Sequence, residues 1–98
     1  MIDAEDCRGR SPLLNAVKYN HRGITTLFLD KGANSANEDE NLKTALHFAV
    51  ENGNYSMACL LINRNQKLVN AKDSNNMSAL HYAAEMGHAK VGIICLIL

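Results

Sequence analysis

Apolar residues recur along this chain in short groups spaced three and four apart, the interval that sets side chains on one face of an α-helix. Leu13 and Ala16, Leu46 and Ala49, and Leu80 and Ala83 make three such pairs. After a polar gap each pair is followed by a second apolar group: Ile24, Leu27 and Phe28; Met57, Leu60 and Leu61; Val91, Ile94 and Cys95. The pattern predicts three units, each of two short amphipathic helices.

The units are copies of one another. Segments starting at Asp6 (DCRGRSPLLNAVKYNHRGITTLFLDKGAN), Asp39 (DENLKTALHFAVENGNYSMACLLINRNQ) and Asp73 (DSNNMSALHYAAEMGHAKVGIICLIL) align, with the aspartates 33 and then 34 residues apart. Ser11, Thr44 and Ser78 keep that spacing and are suited to cap the first helix of each unit. Pro12 then occupies the first helical position, where a missing N–H costs nothing, and Ala45 and Ala79 stand there in the other units. Asn20, Gly53 and Gly87 are placed to end the first helices in a left-handed conformation, and Gly32 or Asn65 to end the second. The polar segment that leads to the next Asp is expected to project as a turn.

This order of caps and glycines resembles the ankyrin-repeat family. The resemblance is carried by GRSPL (9–13), TALHFA (44–49), VNAKD (69–73) and SALHYAAEMGHAKV (78–91), and extends over essentially the whole chain. It implies an all-α ankyrin-repeat solenoid of about three helix-turn-helix repeats with finger-like hairpin turns, an L-shaped profile and a role in protein recognition. One domain, 1–98, is expected, with repeats at approximately 6–38, 39–72 and 73–98, the last truncated. Leu14 replaces the usual His of the family motif, and Leu42 and Asn76 replace the finger glycine. Leu takes a positive φ only under strain, so a distorted second finger is expected. The extra residue of the second repeat predicts a bulged loop at 64–68. Residues 2–6 resemble the finger of a preceding repeat, and the run from Ile93 to Leu98 is not a polar cap. Part of a longer array is therefore expected, marginally stable alone and associating through its C-terminal apolar face. The finer pattern IDAEDCRGRSPL, LHFAVENG, LINRNQKLVNAKD and MSALHYAAEMGHAKV resembles the arrays of A-type transient receptor potential cation channels. That resemblance implies a place in a large cytoplasmic region.

Composition narrows the function classes. The chain has 98 residues, ten basic and ten acidic, with no basic run. A nucleic-acid binder would carry a clustered basic footprint, and a membrane-surface segment a basic amphipathic stretch. Cys7, Cys59 and Cys95 form no CxxC spacing and no even set, which suits a reducing compartment. A cytoplasmic location is expected, on the inner side of a membrane protein under the channel reading, and a nuclear one stays open. No apolar run approaches the 20 or so residues that a membrane-spanning helix needs.

Catalytic chemistry finds little support, so no enzyme, cofactor or metal is expected. His47 and His81 occupy equivalent places in successive repeats, which suits local bonding to the Thr44 and Ser78 caps better than a shared metal. His21 and His88 are expected to cap the second helices. Ser11 and Ser78 are accounted for as caps, and Cys59 and Cys95 as small buried residues. Cys7, on a finger, is the one candidate reactive thiol, with only Arg8 and Arg10 near it in sequence to lower its pKa. Asn70 resembles a finger asparagine that is hydroxylated in some ankyrin proteins; bonding to the finger backbone is the favoured account of it. No phosphate-binding glycine motif is present.

A partner surface remains. In this architecture the finger tips and the outer side of the first helices line a concave face. The first repeat places Arg8, Arg10, Lys18 and Tyr19 there. The second places Glu40, Asn41, Lys43, Glu51 and Asn52, and the third Ser74, Asn75, Met77, Glu85 and Met86. These residues differ between repeats while framework positions stay alike. The expected partner is a protein or the rest of a longer array, and the two open readings are a soluble adaptor and a channel segment.

Overall fold

A computed structural model of the chain describes residues 9–87. Its elements are helices and turns, with no strand among the described residues. Helix α1, Pro12–Lys18, starts at Ser11, whose Oγ accepts the Leu14 N–H at 3.3 Å. Helices α3, Ala45–Glu51, and α5, Ala79–Met86, start at Thr44 and Ser78. The second helices are α2, Arg22–Asp30, and α4, Tyr55–Arg64. A 3-10 helix, Gln66–Asn70, follows α4.

The first helices stack side by side, α1 on α3 and α3 on α5, while α2 packs on α1 and α4 on α3. Ala45, Ala49, Ala79 and Ala83 are buried where the first helices meet, because a methyl side chain lets two backbones approach. Leu13, Leu14, Val17, Leu46, Val50, Met57, Leu61 and Ile62 fill the rest of the core. Each large side chain buried there contributes about 1.5–3 kcal/mol. Leu14, in place of the family His, is fully buried.

The first helices stop where expected. Asn20 (φ 61°), Gly53 (φ 68°) and Gly87 (φ 72°) are all left-handed. The reversed chain then donates back: His21 N–H to the Ala16 carbonyl at 2.8 Å, and Asn54 N–H to the Ala49 carbonyl at 2.9 Å. Such bonds satisfy carbonyls that a helix end leaves free.

Both described fingers share one geometry, so the expected distortion of the second is absent. Asp39 Oδ1 accepts the N–H groups of Asn41 (2.8 Å) and Lys43 (2.9 Å). Asp73 Oδ1 accepts those of Asn75 (2.9 Å) and Met77 (3.0 Å). Leu42 adopts φ 62° beside φ 63° at Asn76 and 77° at Gly9. The turn set by the aspartate overrides the reluctance of Leu. A Cβ at Gly9 would lie 3.1 Å from the Glu40 nitrogen, so the first finger also needs glycine for its approach to the second.

Five further expectations are corrected. Asn65 is extended (φ −155°), not left-handed, and its side chain accepts the Lys67 N–H at 3.1 Å. The lengthened segment is therefore a capped 3-10 turn rather than a bulge. In α2 the stripe Ile24, Leu27 and Phe28 is not buried; the buried α2 side chain is Thr25, whose hydroxyl donates to the His21 carbonyl at 2.8 Å. His21 stands at the start of α2 but makes no capping bond through its side chain. Cys59 is half-buried rather than buried. Cys7, His88, Val91, Ile94, Cys95 and the run 93–98 lie outside the described residues.

Candidate functional site

Whether the fingers can present a surface depends on what holds one repeat to the next. The strongest tie is His47, which is fully buried. The Thr44 N–H donates to its Nδ1 at 3.0 Å, and the Thr44 hydroxyl lies 3.0 Å from the same atom. With Nδ1 accepting, the ring proton sits on Nε2, which donates to the Met77 carbonyl at 2.9 Å. One imidazole thus caps α3 and fastens the next finger. Desolvation lowers the pKa of His47 below its usual value, outweighing the Met77 bond, so the neutral ring is favoured.

Asp73, at the base of that finger, accepts the Tyr82 hydroxyl on Oδ2. Burial pushes its pKa up, but the bonds from Tyr82, Met77 and Asn75 prevail and hold it below the ordinary carboxylate range. Burial and the same bond push the Tyr82 hydroxyl well above its ordinary value. The Tyr82 ring meets His47 edge-on at 5.4 Å. Further ties are Ser74 N–H to the Asn41 carbonyl (2.9 Å), Asn52 Nδ2 to the Lys18 carbonyl (2.9 Å), and Asn54 Nδ2 to Asn20 Oδ1.

On this frame lies a half-open cleft of about 190 Å³ lined by Arg10, Lys18, Asp39, Glu40, Asn41, Lys43, Phe48 and Glu51. Six of the residues assigned to a partner surface from sequence are brought together there. Its walls carry three cations and three carboxylates, so it is polar with no excess charge. Lys43 is its anchor: Nζ is 2.9 Å from Glu51 Oε2 and 4.8 Å and 5.5 Å from the ring centres of Phe48 and Tyr82. The two rings attract the ammonium and help restrain it beside Glu51. Lys18 lies over the Tyr19 ring at 5.6 Å, and Tyr19 itself is 61% exposed.

The remaining assigned residues are dispersed. Ser74, Asn75 and Glu85 are exposed on the third repeat, away from the cleft lining. Met77 is half-buried against the core, and the exposed Asn52 uses its amide to tie repeats. Arg8 and the side chain of Met86 lie outside what is described. Sequence reasoning missed Asp39 and Phe48. Asp39 was visible as the finger aspartate, and Phe48 only as an apolar residue of α3. Among the described residues no group of His, Cys, Asp or Glu could hold a metal ion, and no helix is long and apolar enough to cross a membrane.

Comparison with known proteins agrees with this architecture. The family model for ankyrin repeats, three copies, matches residues 1–73. Inversin of Homo sapiens is 37% identical over 62 residues, 63% of this chain and 6% of the relative. Inversin of Mus musculus gives the same identity and coverage, and that of Danio rerio is 36% identical over 62 residues. The aligned segment thus spans a small part of each relative.

Proposed function

The chain belongs to the ankyrin-repeat family, and from that premise we propose that it is a non-catalytic interaction module that binds a protein through its fingers and first helices. Ankyrin repeats are in general protein-interaction modules. The observation that carries the assignment to this face is the cleft, where six of the residues assigned from sequence converge on a rigid frame. Lys43 and Glu51 form a fixed floor, while Lys18, Glu40 and Tyr19 stand at its margins with solvent access. An exposed aromatic beside charges of both signs suits a partner that brings its own mixed charges and an apolar contact.

The test compares two full-length variants by proximity labelling in cells. Lys18→Glu with Glu40→Lys inverts the margin charges without touching the core. Ser56→Lys alters an exposed position of α4. The partners labelled by the parent chain should be lost from the first variant and kept by the second. Retention by both, with folding intact, would remove the cleft from the interaction.

A further inference from the structure

Lys18, Glu51 and Glu85 occupy one position of the repeat, 33 and then 34 residues apart. They stand in the last turns of α1, α3 and α5. Because these helices stack side by side, the three positions form a row across the repeats. The row is open within the stack and not only at its ends. Glu51 has a repeat on each side, yet its side chain is 34% exposed. Lys18 is half-buried although α3 packs on α1.

The charge changes sign along this row. Positions 9–20 hold Arg10 and Lys18 and no carboxylate. Positions 39–53 hold Lys43 with Asp39, Glu40 and Glu51. Positions 73–87 hold Asp73 and Glu85 and no Lys or Arg. Internal bonds decide which of these charges face a partner. Asp39 and Asp73 are spent on the N–H groups of their own fingers. Lys43 is spent on Glu51 at 2.9 Å. The row is therefore basic at Lys18, a neutral pair at its middle and acidic at Glu85, with the exposed Glu40 beside the pair. After burial and Asp73, Glu51 and Glu85 also push the Tyr82 hydroxyl up, so both carboxylates lie near it.

Packed helices lie about 8–10 Å apart, which puts Lys18 and Glu85 about 16–20 Å apart along the row. The cleft on the way, about 190 Å³, admits side chains but not the full width of a helix, about 10–12 Å. An extended chain rises about 3.3 Å per residue and returns its side chains to one face at even spacings, so about six residues cover the distance. We infer that the partner lays an extended segment across the repeats, with a carboxylate over Lys18, a basic side chain over Glu85 about six residues away, and uncharged residues over the Lys43–Glu51 pair. The inference rests on the cleft as the binding face and adds the order of charges that this face selects. An extended segment can lie in either direction, so the spacing and the opposite signs are fixed while the order along the partner chain is free.

Selection from a displayed peptide library by the full chain tests it. Two positions six apart each carry Asp, Lys or Gln, and the rest vary among uncharged residues. The parent chain should select one Asp and one Lys. Lys18→Glu should select Lys at both positions, and Glu85→Lys should select Asp at both. Each reversal should weaken the parent-selected peptides by about fivefold or more, read by fluorescence anisotropy. Circular dichroism checks the fold of each variant, and the milder Lys18→Gln and Glu85→Gln should each leave one position indifferent to charge. Selected peptides that are like-charged, indifferent to charge or unchanged by the reversals would overturn the inference. If Lys18→Glu with Glu40→Lys still abolishes their binding, the cleft remains the binding face and only the order of charges fails. Selection of no peptide would also overturn the inference, and the labelling of cellular partners then decides the cleft reading by itself.

Discussion

Leu42 holds a left-handed conformation (φ 62°) that costs a residue with a Cβ about 1–2 kcal/mol. Its side chain is 46% exposed, so burial returns little. Asn76 fills the same turn in the next repeat and tolerates that φ better. Leu42→Asn should therefore raise stability by about 0.5–1 kcal/mol, visible as a higher urea midpoint; a lower one would show that the Leu side chain contributes packing. His47 gives the chain a pH dependence of definite sign. Its folded pKa lies below the usual 6.5, so as pH falls the unfolded chain takes up the proton first. Its contribution is fully present above pH 6.5 and is lost as pH drops through that value toward the folded pKa. Urea midpoints between about pH 7.5 and 5.5 should fall, and His47→Leu should flatten that slope. Asp73 acts lower on the scale. Its stabilisation is present above the ordinary value of 3.8 and is lost below it. Tyr82→Phe removes the donor, so an NMR titration should show the Asp73 pKa rising.

At the level of elements, what was legible in the sequence was what is decided locally. Ser11, Thr44 and Ser78 begin helices, and Asn20, Gly53 and Gly87 end them, because a cap or a left-handed residue acts within a few positions of itself. The finger aspartates were legible as markers of the repeat, though not as the acceptors that enforce φ 62° on Leu42. Asn65 was misjudged because its surroundings, not its type, choose its conformation. The segment after α4 continues into a 3-10 helix, and the Asn65 side chain serves that helix and also donates to Ser35 Oγ at 3.2 Å. Substitution by Gly separates the two roles. At a left-handed helix end Asn65→Gly would be neutral or stabilising. In the extended cap seen here it removes the bond to the Lys67 N–H and should cost a few tenths of a kcal/mol, measured by urea unfolding. The cleft was half legible: charged residues varying between repeats marked its rim, but Phe48 looked like any other core residue until Lys43 was seen resting on its ring.

Across the whole molecule, stability is a property of neighbours. The stripe of α2 shows why sequence alone could not place burial: Ile24 and Met57 have the same register and similar bulk, yet among the described residues Met57 is fully buried and Ile24 is 46% exposed. Ties between repeats are correspondingly unequal. The Arg64–Asp30 pair, at 2.7 Å, joins two side chains that are 39% and 56% exposed, so water screens it and its loss should be small. His47 is buried, and removing it leaves the Thr44 N–H and the Met77 carbonyl without their partner, which costs about 1–3 kcal/mol for each buried group. In a stack where each repeat touches only its neighbours, such a loss weakens one interface rather than the whole. His47→Leu, which copies Leu14 of the first repeat, keeps the apolar bulk and removes both bonds. Amide exchange followed by mass spectrometry should then quicken most in the finger Asp73–Met77 and in α5, while α1 and the α1-facing side of α3 change less. Uniform quickening in every helix would mean that the repeats unfold as a single unit and that His47 stabilises all of them alike.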